Sequence, residues 1–343
     1  MNFSLKRLIA VLKARLREFY RDTASWAWNL LMPVLILVGF AFIFSGDEEP
    51  MFRLAVLGDA NRIEHPLLEQ DFVKRIQLPA DARDVAILKV RRHQYDLLLD
   101  ATVSPPSYWV NRLSERGRVL ERLLLASAGQ PATDAFRRAE VEGRDIRYVD
   151  WVMPGVLAMN MMFSCLWGVG WVVVRYRKNG VLRRLQATPL TPFEFLGAQV
   201  LARLVIVGFV TTAVFVGAWL MIGFVMRGSW PLLALTFFAG ALCLTSLGLI
   251  VATRLKTEEV ADGLLNLMSW PMMIFSGVWF SMETAHPVAR AVSELMPLTW
   301  LVDASRRIML DGVGLSEVLP QIVSLGGLAL LMLLVSARLF RWS

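Results

Sequence analysis

Few residues of this 343-residue chain have the type and spacing that catalysis needs. The three histidines, His65, His93 and His286, are scattered, and His65 and His93 fall in polar helical segments where solvation accounts for them. Cys165 and Cys243 fall inside apolar runs, so neither a disulfide framework nor a zinc site is indicated. Met159, Met161 and Met162 bring soft sulfur together, but adaptable apolar packing is the simpler use of methionine. No G-x-x-x-x-G-K-[ST] loop is present to cradle a triphosphate. No G-x-S-x-G elbow or H-E-x-x-H helix supplies a nucleophile or a metal. No catalytic residue, no metal-binding residue and no cofactor held by this chain is expected.

The pattern that suggests work of another kind is RYRKNGVLRRLQATPLTPFEFLGAQVLAR, Arg175 to Arg203. It carries six basic residues and one acid, Glu194, between two long apolar runs. Val181, Leu182 and Leu185 form one apolar face of a short helix, with Arg183 and Arg184 beside it. Pro189 stops that helix, because the residue before a proline disfavours the helical region. Thr191-Pro192-Phe193-Glu194 then starts another: Thr191 can cap, Pro192 suits the first helical position, and Glu194 completes a capping box. A helix, a sharp break and a new helix make a rigid elbow that could pass force from a partner into the flanking spans. A basic loop that only sets topology would need neither the apolar face nor the box.

The elements around the elbow are apolar. Hydrophobic residues make up 56% of the chain and charged residues 19%, against about 25% charged in soluble domains. A membrane span needs roughly 20 mostly apolar residues. Candidates lie at Trp26–Phe44, Val152–Val174, Leu204–Val225, Trp230–Ala252, Val260–Phe280 and Val318–Val335. The third could begin near Phe195, with Arg203 snorkelling to the interface, and Pro271 is expected to kink the fifth. Segments on the N-terminal side of this arrangement carry 16 basic and 6 acidic residues, whereas 46–150 carries 16 and 18. Basic residues near span ends stay cytoplasmic, so both termini are expected inside and 46–150 outside. The net charge of +7 then marks topology, and nucleic acid is not an expected partner. The N-terminus is basic and amphipathic before any long apolar run, so a cleavable signal peptide is not expected.

Residues 1–25 are expected to form a cytoplasmic helix at the lipid interface, since Leu5, Leu8, Ile9, Leu12, Leu16 and Phe19 share one face and basic residues fill much of the rest. Span one occupies 26–45 and spans two to six occupy 151–343. The segment 46–150 is expected to be a small α/β domain. Its strands are expected at Phe52–Leu57, Tyr95–Leu99 and Tyr108–Leu113, and its helices at His65–Arg75, Ala82–His93 and Glu115–Ala128. The fold class is therefore a polytopic α-helical membrane protein with six transmembrane helices plus a small α/β extracytoplasmic domain. Between spans five and six, 281–317 reads as a helical hairpin on the outer face. It carries Glu283, His286, Arg290, Glu294, Asp303, Arg306 and Arg307 among apolar residues. Asn160, Thr211, Thr212 and Thr245 are polar within spans, and bonding to a neighbouring helix is the commoner use of such groups.

Gly180-Val-Leu-Arg-Arg-Leu-Gln-Ala-Thr-Pro-Leu190 resembles the coupling-helix region of permeases of the type-2 ATP-binding-cassette (ABC) exporter family. Phe275-Ser-Gly-Val-Trp-Phe280 and Met296-Pro-Leu-Thr-Trp300 are similar to that family's Phe-Ser-Gly ending of span five and Pro-Leu-Thr step before the last span. The resemblance covers nearly the whole chain and is least specific in 46–150. One departure concerns charge: members often have acidic residues before the coupling Gly and a Glu after the first Leu, whereas here Arg177, Lys178 and Asn179 precede Gly180 and Arg183 follows Leu182. Ion pairing with an ATPase should therefore differ in sign or be absent.

The resemblance implies a half-transporter in the bacterial inner membrane. Two permeases pair, identical or homologous, and two copies of a separate ABC ATPase bind ATP and magnesium below them. Its coupling helix would span 179–188, using Gly180, Val181, Leu182, Arg183, Arg184, Leu185, Thr188 and Pro189. Its exit gate would lie toward 281–317, which makes Asn160, Phe275, Trp279, Glu283, Glu294 and Asp303 the candidates for the substrate path. Membrane lipid is an expected neighbour, and the outer domain could dock a periplasmic adaptor. The substrate would be amphipathic, lipid-like or a drug. The alternative is a membrane receptor whose outer domain binds a ligand, which leaves six spans and the capped elbow without a role. An ion-coupled carrier would show repeats and intramembrane acids, and only Asp262 lies near a span interior.

Overall fold

The structure is a computed structural model. It describes residues 4–43, 52–58, 66–70, 72–126, 137–141, 148–255, 257–282, 285–340 and 342. The chain forms two compact units, one of residues 1–44 and 148–343 and one of residues 45–147.

In the larger unit, α1 (Leu5–Arg21) is amphipathic and packs on α8 (Pro192–Ile222), burying Leu8. The helix α2 (Thr23–Ile43) follows, with Pro33 inside it, and packs on α5 (Tyr148–Cys165) and α8. A π-helical turn at Leu166–Trp171 continues α5 into α6 (Val172–Lys178), so that Tyr148–Lys178 is one 31-residue rod. After the short α7 (Val181–Gln186) and α8 come α9 (Trp230–Ala252), α10 (Glu258–Phe275), α11 (Pro287–Glu294), α12 (Pro297–Arg306) and α13 (Leu315–Leu339).

Among the described residues, four helices are long and apolar enough to cross a membrane: Tyr148–Lys178, α8, α9 and α13. The apolar part of α2, Ala27–Phe40, is shorter. The 18 residues of α10 include Glu258, Glu259 and Asp262. The helix also stops at Phe275, five residues before the expected end of that span. Gly277 there takes φ +69°, in the left-handed region that favours glycine. The 31 residues of α8 at 1.5 Å each measure roughly 46 Å, against a hydrocarbon core of about 30 Å. The helix is therefore longer than a perpendicular crossing needs.

Two glycines set the central crossing. A Cβ on Gly170 of the π turn would lie 3.0 Å from the Gly248 carbonyl oxygen, and one on Gly248 of α9 would lie 2.9 Å from that of Leu166. Only bare backbone lets these rods approach so closely. The hairpin expected at 281–317 contributes buried residues to the packing of the larger unit. Leu298, Leu301, Val302, Ile308 and Met309 are buried, and α12 packs on α5, α9 and α13.

The smaller unit is a five-stranded sheet of order β2-β1-β3-β4-β5. Its strands are β1 (Phe52–Leu57), β2 (Val73–Leu78), β3 (Leu97–Asp100), β4 (Ser107–Asn111) and β5 (Arg137–Val141). Pairing is parallel except between β3 and β4. The period-two alternation of strands sorts the apolar residues. Phe52, Leu54, Val56, Leu97, Leu99, Tyr108 and Val110 meet Leu120 and Leu124 of α4 (Glu115–Ala126). Ala55, Leu57, Leu98 and Trp109 meet Ala86 and Val90 of α3 (Arg83–Arg91).

The expected helix His65–Arg75 is not formed. Pro66–Glu69 is a single 3-10 turn, and strand β2 begins at Val73. The edge strand's lone buried position, Val73, left a pattern too weak to distinguish from a helix. His65 lies outside the described residues.

Candidate functional site

The elbow forms as its residue types require. Gly180 precedes α7 with φ +69°, a conformation that a side chain would strain. Leu182 is fully buried in a cluster with Val174, Leu190, Phe195, Leu249 and Ala252, and Leu185 packs half-buried against it. The apolar face of α7 thus grips its own bundle. Thr188 Oγ1 donates to the Leu185 carbonyl at 2.6 Å and closes the helix. The capping box is present: Glu194 N–H donates to Thr191 Oγ1 at 3.2 Å, and Thr191 N–H donates to Glu194 Oε2 at 2.8 Å.

The other carboxylate oxygen of Glu194 does something no local pattern foretold. It accepts from the Ser4 N–H at 2.6 Å and from Arg7 Nη2 at 2.8 Å and Nε at 3.1 Å. Arg7 Nη1 also donates to the Pro189 carbonyl at 2.6 Å. One buried carboxylate therefore ties together the starts of α1 and α8, and Arg7 adds the end of the elbow. Farther along α1, Arg15 donates to Tyr176 Oη at 2.9 Å and pairs with Glu18 at 2.7 Å, while Tyr176 also donates to Glu18.

The basic flank of Gly180 is used internally. Arg177 donates to the carbonyls of Ala252 at 2.8 Å, Thr253 at 3.0 Å and Leu255, capping the C-terminal end of α9, where exposed carbonyls attract a cation. Lys178 pairs with Glu258 at 3.3 Å and Glu259 at 3.8 Å. Arg203 does not snorkel; it is 7% exposed. The reason is Gly168, whose missing Cβ would lie 1.8 Å from the Arg203 Cζ, so the guanidinium occupies the gap in the π turn. What remains outward is Arg183 and Arg184, without an ion pair among the described residues, with Thr188, Pro189 and the 67%-exposed Phe193.

The predicted path residues separate. Asn160 donates to the Asn29 carbonyl of α2 at 3.5 Å. Trp279 joins an aromatic group with the Phe40 ring at 5.3 Å, and its carbonyl accepts from Tyr148 Oη at 2.7 Å. Tyr148 in turn stacks on Trp151 at 5.9 Å. An open apolar groove of about 370 Å³ lies there, lined by Leu35, Ile36, Gly39, Phe40 and Trp279. Arg306, one of the ionisable residues of the expected 281–317 hairpin, lies beside this group. Its guanidinium lies 3.8 Å over the Trp151 ring and donates to the carbonyls of Trp151 at 3.2 Å and Gly277 at 2.9 Å.

Phe275 ends α10 half-buried. Glu294 and Asp303 are exposed and do not join the Trp279 group. The Glu294 carbonyl accepts from Trp300 Nε1 at 2.9 Å, and Asp303 Oδ2 accepts from Gln321 at 3.1 Å. Glu283 lies outside the described residues.

Known proteins share this arrangement of sequence. The profile of a family described as ABC-2 type transporter matches residues 108–310. The chain is 27% identical over 177 residues to the inner membrane transport permease YhhJ of Escherichia coli K12, covering 50% of this chain and 46% of that protein. It thus spans less than half the length of YhhJ. It is 22% identical over 360 residues to the probable multidrug ABC transporter permease YbhS of Escherichia coli K12, covering 90% of each chain. It is 25% identical over 342 residues to the probable multidrug ABC transporter permease YbhR of the same organism, covering 91% of this chain and 92% of that one.

Proposed function

Because the chain belongs to the ABC-2 type transporter family as a bacterial transport permease subunit, we propose that it is the membrane half of an ATP-driven exporter. In this reading it moves an amphipathic or lipid-like molecule, or a drug, out of the cytoplasm or inner leaflet. The chain crosses the inner membrane six times with both termini inside, and 46–150 lies outside, where it can gate or dock a periplasmic adaptor. Two permeases pair, and two separate ATPase subunits carry ATP and magnesium.

The single observation that carries the reading is the two-sidedness of α7. Its inner face is anchored by Leu182, while Arg183 and Arg184 face outward. An ATPase groove that engages those arginines together with Thr188 and Pro189 would push on a helix that cannot yield alone. Packed interiors transmit displacement, so a push on α7 passes through Leu182 to Phe195 of α8. The Glu194 carboxylate carries the same displacement to Ser4 and Arg7 of α1. Because Arg177 and Lys178 are paired within the bundle, recognition rests on Arg183 and Arg184, and the ATPase surface opposite them should be acidic. At the far end, the Phe40, Tyr148, Trp151 and Trp279 group and its groove supply the exit.

The test is affinity purification of the tagged chain from its native membrane, with mass spectrometry of what stays bound. A near-equimolar ATPase is expected. A chain that comes out alone in several mild detergents would remove the partner the elbow needs and favour a receptor for the outer domain.

A further inference from the structure

The geometry points to an anion-binding site inside the larger unit, built by Arg203 and Gln199 of α8 under the π turn, that takes the phosphate or carboxylate head group of an amphipathic molecule. The starting point is how each buried or half-buried arginine there is balanced. Arg7 has Glu194, Arg15 has Glu18, Arg177 has three carbonyls, Arg306 has two carbonyls and the Trp151 ring, and Arg307 has Glu317. Arg203 has one neutral hydroxyl, Ser164 Oγ at 2.9 Å, and its buried Nε–H has no partner. That Ser164 hydroxyl is itself committed, donating to Asn29 Oδ1 at 3.0 Å.

Arginine keeps its proton in proteins. A guanidinium 7% exposed between spans therefore sits in low dielectric without a counter-charge among the described residues. Gln199 lies one helical turn before it, on the same face of α8. It is 1% exposed, and neither its amide nitrogen nor its amide oxygen has a partner. Buried polar groups are normally satisfied, so two adjacent unsatisfied side chains mark a place where something polar belongs.

A second arginine, paired with Glu18, reaches the same turn. Arg15 of α1 donates to the Gly168 carbonyl at 3.3 Å, and its own Nε is buried without a partner. Gly168 is the residue whose missing Cβ admits the Arg203 guanidinium. Two positive side chains thus approach one glycine from α1 and from α8. A planar guanidinium fork fits two oxygens of a carboxylate or phosphate, and Gln199 can add one donor to the same group. The surrounding spans are apolar, which suits an alkyl tail. The identity of the head group as cargo rests on the transport reading above; the site itself stands on the residues alone.

The experiment measures binding to the purified permease without any ATPase, so its failure and a failure of the coupling reading are distinguishable. Radiolabelled dodecyl phosphate is titrated onto the full chain in phosphatidylcholine nanodiscs, with empty nanodiscs subtracted. Saturable binding is expected, displaced by unlabelled dodecyl phosphate and not by dodecyltrimethylammonium. Arg203→Gln should weaken it at least tenfold and Gln199→Leu several-fold. Should Arg203→Gln fail to fold, Arg203→Lys keeps the charge without the fork and should still bind less tightly than the wild type. Displacement by phosphatidylglycerol placed in the nanodisc identifies a membrane lipid as occupant. Displacement only by amphiphile added from water identifies a transported molecule, and either result supports the site. Absence of saturable binding, or equal binding in all folded variants, overturns it.

Discussion

Leu182→Ala isolates the anchoring of α7. The helix has only six residues, too few to be stable by itself in water. Leu182 is its one fully buried side chain and Leu185 its half-buried second contact. Truncating a fully buried leucine costs about 2–5 kcal/mol, and most of that loss falls on local opening of α7. Each 1.4 kcal/mol is tenfold in an equilibrium, so the amides of α7 should exchange with solvent about thirty-fold to several thousand-fold faster. Hydrogen–deuterium exchange of peptides covering 179–190 in nanodiscs reads this directly, with α9 as internal reference. Arg183→Ala should leave the same peptides unchanged, since its side chain faces outward. Unchanged protection in Leu182→Ala, or an equal loss across α9, would refute the idea that one leucine fastens an otherwise free lever.

Other perturbations test the remaining contacts. Glu194→Gln removes the charge that holds Arg7 and should expose α1 to limited proteolysis near Ser4 and Arg7, while α9 stays resistant. Gly168→Ala puts a Cβ 1.8 Å from Arg203 Cζ, so the flexible end of that side chain must leave the turn; folded yield should fall modestly, and adding Arg203→Ala should restore it, read as monodisperse protein by size-exclusion chromatography. In the sheet unit, burial pushes the Asp96 carboxyl above its ordinary range, against the opposing pull of the Arg53 N–H. A carboxyl raised on folding favours the fold below its unfolded value and loses that contribution as pH climbs through the folded one. Resistance of 45–147 to protease should therefore rise as pH falls through the raised Asp96 value toward the unfolded carboxyl value of about 4, and Asp96→Asn should flatten that dependence.

The elbow was legible because its signals are local. Pro189, Thr191, Pro192 and Glu194 each act within four residues, and the structure contains the break and the box they specify. The strands at 52–57, 97–100 and 107–111 were legible because alternation or a dense apolar run marks a buried strand. The edge strands β2 and β5 were not; in β2, VKRIQL buries only Val73. Pairing across the chain was also hidden. Nothing near Glu194 announces Arg7, 187 residues away, and nothing near Arg203 announces the gap at Gly168. Snorkelling was a sound expectation for an arginine near a span end; the glycine in the π turn overrode it. Of the path residues, Trp279 entered an aromatic cluster because Gly277 turns the chain back toward Tyr148. Glu294 and Asp303 lie on exposed sides of α11 and α12, where charge in the sequence carries no information about depth.

The most direct test of the coupling account is the amount of ATPase that co-purifies with Arg183→Glu/Arg184→Glu relative to wild type, measured alongside the thermal stability of the permease. Both side chains are exposed and have no ion pair among the described residues, so stability should stay within about 0.5 kcal/mol of wild type. The account predicts that bound ATPase falls at least tenfold while the permease remains folded and paired. Full ATPase occupancy in the folded double variant would contradict it.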